Sequence, residues 1–185
     1  MTAGAAIALP PDALVVLIGP AGSGKTTFAS RHFAPTQVVS SDEMRGLIAD
    51  DPSDQRVTDD AFRLLHELIA MRLRRGRLTV VDATNVEAWA REQLLDHAWR
   101  ARRPAVAIVL DVSLDVCLER NAARAGGRLP PAAVRRQHRW LAESLAALPH
   151  EGFGAVHVLD AAEIDSARIE LIPTSAGATR ERRGR

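Results

Sequence analysis

The run Ala13-Leu14-Val15-Val16-Leu17-Ile18 leads directly into Gly19-Pro20-Ala21-Gly22-Ser23-Gly24-Lys25-Thr26-Thr27, and this junction decides the fold. The first part is unbroken, apolar and rich in β-branched residues, the pattern of a parallel strand buried on both faces. The second part fits G-x-x-x-x-G-K-[ST], and the stretch from Thr26 to about His32 reads as a helix. Glycines in such a loop let successive backbone N–H groups turn inward around phosphate oxygens, where a side chain would collide. Lys25 can then reach the β and γ phosphates and Thr26 can ligate Mg²⁺, while the helix N-terminus adds the positive end of its dipole. Gly19, Ala21, Gly22, Ser23, Gly24, Lys25, Thr26 and Thr27 are therefore the expected phosphate-binding residues.

Outward from this junction, apolar runs alternate with amphipathic stretches. Further strands are expected over residues 37–39, 78–81, 105–110 and 155–159, with helices over 59–75, 86–101, 113–123 and 132–148. In the first of these helices Ala61, Leu64, Leu65, Leu68, Ile69 and Leu73 share one face. Strands separated by helices predict an α/β fold: a five-stranded parallel sheet with helices on both faces. One folded domain is expected over residues 13–171, preceded by a disordered lead-in (1–12) and followed by a disordered, basic tail (172–185).

The chain has 185 residues, 46% hydrophobic and 25% charged, with a formal net charge of +1. No apolar run approaches membrane-spanning length, and no basic segment precedes the apolar patch at the N-terminus, so a cytoplasmic protein without a membrane partner is expected. Cys117 is the only cysteine, which excludes an internal disulfide framework and a cysteine-rich zinc site. The six histidines show no metal-ligand spacing. Of the 24 basic residues only Lys25 is lysine. The arginine bias accompanies abundant alanine and reads as compositional. The surviving lysine stands where a planar guanidinium would be too broad for a phosphate cradle.

In open α/β sheets ligands collect at the carboxyl ends of the strands. After the second expected strand comes Ser40-Ser41-Asp42-Glu43-Met44-Arg45. Asp42 there could accept a proton from an attacking hydroxyl, and Arg45, one helical turn on, could hold an anionic group of the acceptor. The same residues also read as a capping box, Ser40-x-x-Glu43, opening a helix. After the third expected strand, Asp82 stands where a water-mediated Mg²⁺ ligand belongs, whereas Thr84 reads as a helix N-cap. Arg120 and Arg124, at i and i+4, run into Ala125-Gly126-Gly127-Arg128-Leu129-Pro130-Pro131. This suits a lid that closes arginines over phosphates, and equally a solvated basic helix end. Trp89, Trp99 and Trp140 are expected to pack on helices, Arg72, Arg74, Arg75 and Arg77 to form a solvated helix end, and Asp50, Asp51, Asp54 and Gln55 to border the acceptor side.

Three segments, LIGPAGSGKTTFASRHFAPTQVVSSDEMRGLIADD, LTVVDATNV and VCLERNAAR, closely resemble the 5′-kinase domain of bacterial polynucleotide kinase–phosphatase enzymes. The resemblance spans roughly residues 14–159, and its S-D-x-x-R run is more specific than the phosphate loop. It implies a P-loop kinase fold with a small arginine-bearing lid, and an ATP- and Mg²⁺-dependent kinase acting on 5′-hydroxyl ends of RNA or DNA. By that resemblance Lys25 and Thr26 take the phosphate and magnesium positions, Asp42 the general base, Arg45 the acceptor contact, and Arg120 and Arg124 the lid. Phosphatase and ligase modules are expected to be absent, a departure from the family. The chain also carries Glu43 beside Asp42 where the family has an apolar or aromatic residue, and its lid stretch around Arg128 is longer. A P-loop kinase with a small-molecule hydroxyl acceptor and a nucleotide-binding regulatory module are the two alternative readings.

Overall fold

The computed structural model describes residues 6–124 and 129–172. The chain runs through β1 (Ala6–Leu9), β2 (Leu14–Ile18), α1 (Lys25–His32), β3 (Val38–Ser40), α2 (Ser41–Ala49), α3 (Thr58–Arg74) and β4 (Thr79–Asp82). It continues through α4 (Ala88–Ala101), β5 (Ala105–Leu110), α5 (Leu114–Ala123), α6 (Pro131–Ser144), β6 (Ala155–Leu159), α7 (Ala161–Ser166) and β7 (Arg168–Leu171). Five strands form one sheet in the order β3-β4-β2-β5-β6, with every pairing parallel.

The alternation of β2 explains why both sheet faces are covered. Leu14, Val16 and Ile18 point into a core built with α3, α4 and α6, where Ala61, Leu65, Ile69, Leu73, Leu94 and Leu141 are buried. Val15 and Leu17 point the other way, into a core closed by Phe28 and Ala29 of α1 and by Ile7 and Leu9 of β1. Each fully buried Leu or Ile contributes about 1.5–3 kcal/mol relative to an exposed one, so a strand apolar on both sides favours a two-faced sheet. Among the described residues no helix is long and apolar enough to cross a membrane.

The structure corrects the expectations for the N-terminal stretch and for Thr84. The N-terminal stretch is not wholly a disordered lead-in: Ala6–Leu9 forms β1, which pairs in parallel with β7 in a separate two-stranded sheet. Its alternation, with Ala6 and Ala8 exposed while Ile7 and Leu9 are buried, is the period-2 signature of a half-buried strand. Thr84 does not cap a helix, because α4 begins at Ala88 with Glu87 at its N-cap. The expected basic tail from residue 173 onward lies outside the described residues.

Two polar contacts brace the helical layer beneath the site. Arg91, fully buried on α4, makes a bidentate pair with Glu151 at 2.7 and 2.6 Å and donates from Nη1 to the Asn85 carbonyl at 2.9 Å. His66 Nδ1 and His97 Nε2 meet at 3.1 Å and link α3 to α4. Burial lowers the pKa of both rings, and for His66 the neighbouring His97 adds to the effect. Trp89 and Trp99 are exposed on α4, unlike the expectation that they pack, whereas Trp140 on α6 rests against the core.

Candidate active site

The phosphate loop joins β2 to α1 at the carboxyl edge of the sheet. Gly24 is the N-cap of α1 at φ 99°, and Gly22 sits at φ 84°, both in the left-handed region that glycine alone occupies at no cost. Gly22 also packs so closely on α5 that a Cβ there would lie 2.2 Å from the Cys117 carbonyl oxygen. Lys25 opens α1 and is almost fully buried. Its Nζ donates to the carbonyls of Gly19 at 2.8 Å and Pro20 at 2.9 Å, and to Ser23 Oγ at 3.4 Å. Burial pushes its pKa down from 10.5 to about 8, and the Asp82 carboxylate works against that shift.

Asp82 ends β4, in register with Leu17 of β2 and Ser40 of β3, so three adjacent strands deliver their tips to one point. Thr26 Oγ1 donates to Asp82 Oδ2 at 2.8 Å. Burial raises the pKa of the Asp82 carboxyl, opposed by Lys25 and by the Thr26 hydrogen bond. The two pKa directions agree: each partner favours the other's charge, yet desolvation outweighs the attraction for both. A buried carboxylate touching a threonine hydroxyl fits Mg²⁺ bound through one side-chain oxygen and waters, completed by phosphates. Among the described residues there is no cluster of three His, Cys, Asp or Glu side chains that would instead form an all-protein metal cage.

Across the cleft, α2 presents Asp42 and Arg45. Ser40 is the N-cap of α2 but makes no side-chain capping bond, so the alternative reading of Ser40 and Glu43 as a capping box is not realised. Glu43 is exposed. Both Asp42 carboxylate oxygens are instead held by arginines: Arg45 Nη2 donates to Oδ1, and Arg124 Nη2 reaches Oδ2 at 2.7 Å from the far side of the cleft. Arg45 is buried, and its Nε also donates to the Pro52 carbonyl at 3.0 Å.

The arginines expected in a lid sit on and just after α5. Arg120 lies against the loop, its Nη1 3.6 Å from where a Gly24 Cβ would stand. Arg124 is the C-cap residue of α5, and Arg128 lies outside the described residues. The base of the lid is clasped by Asn121, whose side chain donates to the Leu129 carbonyl at 2.9 Å and accepts from the Leu129 N–H at 3.2 Å. A cleft of about 720 Å³ runs between the phosphate loop, α2 and the lid, with Asp42, Arg45, Asp82, Arg120 and Arg124 all on its wall. Asp51 and Gln55 border it on the α2 side. The sequence reading omitted Gln137 of α6, whose Oε1 accepts from the Ala21 N–H at 2.9 Å. A glutamine in an arginine-rich helix carries no motif. Asn85 is a buried brace, donating to the carbonyls of Leu17 at 2.8 Å and Ala83 at 3.2 Å.

A five-stranded parallel sheet, a phosphate loop on its central strand and an arginine-bearing lid define a P-loop protein of the kinase-like α/β class. The chain belongs to the AAA domain family, whose sequence model matches residues 14–147. No curated protein matches the sequence significantly. Among solved structures, the Pnkp1/Rnl/Hen1 RNA repair complex contains a chain 21% identical to this one, with a TM-score of 0.64. That match covers 76% of this chain and 47% of the other. A sugar kinase from Janibacter is 22% identical with a TM-score of 0.53, the match covering 80% of this chain and 84% of that one. A gluconokinase from Sinorhizobium meliloti is 20% identical with a TM-score of 0.51, covering 83% and 85% respectively. At these identities the likeness is one of fold.

Proposed function

We propose that this chain is an ATP- and Mg²⁺-dependent kinase that transfers the γ-phosphoryl group to the 5′-hydroxyl end of an RNA or DNA strand. The observation that carries the phosphotransfer is Asp42, a carboxylate facing Lys25, Thr26 and Asp82 across the cleft and gripped by arginines from α2 and the lid. The acceptor assignment rests on the Ser-Asp-x-x-Arg arrangement of Asp42 and Arg45 at the start of α2.

In this reading Asp42 takes the proton of the 5′-hydroxyl as its oxygen bonds to the γ-phosphorus. The bond to the β–γ bridging oxygen breaks and ADP leaves. Lys25, Arg120 and Arg124 lie around the transferring group and offset its charge. Thr26 directly and Asp82 through water would hold Mg²⁺, which supplies charge neutralisation on the phosphates. Triphosphate binding competes for Arg124, so its arrival frees one oxygen of Asp42 for the acceptor.

Transfer of label from ATP to a 5′-hydroxyl oligonucleotide tests the proposal. Wild type is expected to label the oligonucleotide, and Asp42→Ala to lose at least a hundredfold in rate while binding ATP at least as tightly. Wild type that binds ATP but labels no oligonucleotide refutes the acceptor, and an active Asp42→Ala removes Asp42 from the base role.

One observation favours a second acceptor, a small neutral hydroxyl compound such as a sugar. Asp51 lines the acceptor side, and Arg45 is already engaged by Asp42 and the Pro52 carbonyl. The Asp51 carboxylate on that rim repels strand phosphates. Oligonucleotide binding that weakens steeply with salt supports the strand, whereas salt-insensitive labelling of a sugar supports the small acceptor.

A further inference from the structure

The lid helices grip the phosphate loop at adjacent residues. The Cys117 carbonyl of α5 fills the space beside Gly22, and Gln137 of α6 takes the Ala21 N–H at 2.9 Å, a contact between residues 116 positions apart. Only the oxygen of a carboxamide can accept from an N–H, so this bond dictates how the Gln137 amide faces. Oε1 is turned to the loop, which leaves the two Nε2 protons on the other side of the group. Gln137 lies on the wall of the cleft, and among the described residues its Nε2 has no protein acceptor. The position along the loop is also set. Lys25 Nζ rests on the carbonyls of Gly19 and Pro20, the residues immediately before Ala21. Gln137 therefore stands beside the stretch of loop on which the Lys25 ammonium rests, and that ammonium serves the β and γ phosphates.

We propose that Gln137 is a phosphate-contacting residue: Nε2 donates to an oxygen at the β/γ end of the bound nucleoside triphosphate, while Oε1 keeps α6 docked on the loop. This rests on the nucleotide-dependent part of the function proposed above and is independent of the acceptor. A neutral, two-sided side chain suits the position, since a cation would repel Lys25 and an acceptor-only group would face phosphate oxygens.

The two sides of the amide are separable by mutation. Gln137→Glu keeps an oxygen for the Ala21 N–H but turns an anionic oxygen toward the phosphates, whereas Gln137→Ala removes both contacts. Binding of ATP with Mg²⁺ is measured by calorimetry in a Trp89→Phe, Trp99→Phe background. Those two tryptophans are exposed on α4, so the remaining Trp140, three residues from Gln137 on α6 and packed on the core, reports the docking of that helix by fluorescence.

Gln137→Ala should weaken ATP binding about tenfold, the worth of one hydrogen bond to a charged group. Gln137→Glu should weaken it at least tenfold further while leaving Trp140 emission unchanged. The proposal is overturned if Gln137→Glu binds as well as Gln137→Ala, if either binds within twofold of the parent, or if Gln137→Glu shifts Trp140 emission. Parent protein that binds no ATP overturns it as well. Parent protein that binds ATP yet phosphorylates no hydroxyl refutes the kinase reading and leaves the Gln137 comparison decisive.

Discussion

Lys25 offers a quantitative test of the phosphate site. Its ammonium is buried, and burial lowers its pKa to about 8. Triphosphate binding brings negative charge against it and restores the charged form, so binding should take up protons. With a pKa of 8, the empty protein has about half of its Lys25 neutral at pH 8, about one-tenth at pH 7 and about nine-tenths at pH 9. Uptake should follow those fractions, and ATP affinity should fall about tenfold between pH 7 and pH 9. The last phosphate ionisation lies near 6 and adds little in that range. The assay is titration calorimetry with ATP and Mg²⁺ in buffers of different ionisation enthalpy, which yields the protons exchanged. Lys25→Arg is the control, because arginine stays charged: uptake should vanish while the broader guanidinium costs most of the phosphotransfer. The same shift makes folding stability depend on pH. The folded pKa lies below the unfolded value of 10.5, so the native state binds fewer protons between pH 8 and 10.5 and stability rises with pH there. The span corresponds to about 3 kcal/mol. Wild-type uptake below about a tenth of a proton at pH 8, or equal uptake in Lys25→Arg, would refute the reasoning.

Other tests address the scaffold. Glu151→Ala leaves the Arg91 guanidinium fully buried without its carboxylate and should cost about 3–5 kcal/mol in urea unfolding; a cost below about 1 would contradict the burial. The pKa values of His66 and His97 lie below the unfolded value of 6.5, so the unfolded chain binds more protons in acid and stability falls as pH drops through that value. Thermal melts at pH 7.5 and 5.5 should show this loss, and His97→Gln should diminish it. Gly22→Ala meets both a positive φ and the Cys117 carbonyl, whereas Gly152→Ala meets a positive φ of 110° and open space. Gly152→Ala should cost about 1–2 kcal/mol of backbone strain, and Gly22→Ala clearly more, with loss of ATP binding. Equal melting temperatures for the two would sink that comparison.

Much of the architecture was legible because its determinants are local. Ala13–Ile18 carries no polar residue, so it must be covered on both sides, and helices with apolar stripes supply the cover. The elements that escaped were short or bound by distant partners. β1 has only two large apolar side chains, Ile7 and Leu9, and it forms with β7, from the other end of the described chain. Thr84 carries a capping side chain, but Asn85 follows in the left-handed region at φ 50° and α4 starts only after Glu87. At the site, Asp82 and Thr26 were readable from their places after a strand and a lysine. Gln137 was not, since its role depends on α6 crossing Ala21.

By itself, the amino-acid sequence determined the doubly covered parallel sheet and the phosphate loop with its lone lysine, because hydrophobic period and glycine geometry act over a few neighbouring residues. Only the tertiary structure decided which groups share the cleft. It set Asp42 between Arg45 and Arg124, placed Asp82 on Thr26 and turned Gln137 onto the loop. It also decided how far Lys25 is dried. Those are contacts across 56 to 116 residues of chain, apart from the Asp42–Arg45 pair. Their geometry and desolvation exist only once the strands lie in register and the lid helices pack against the loop.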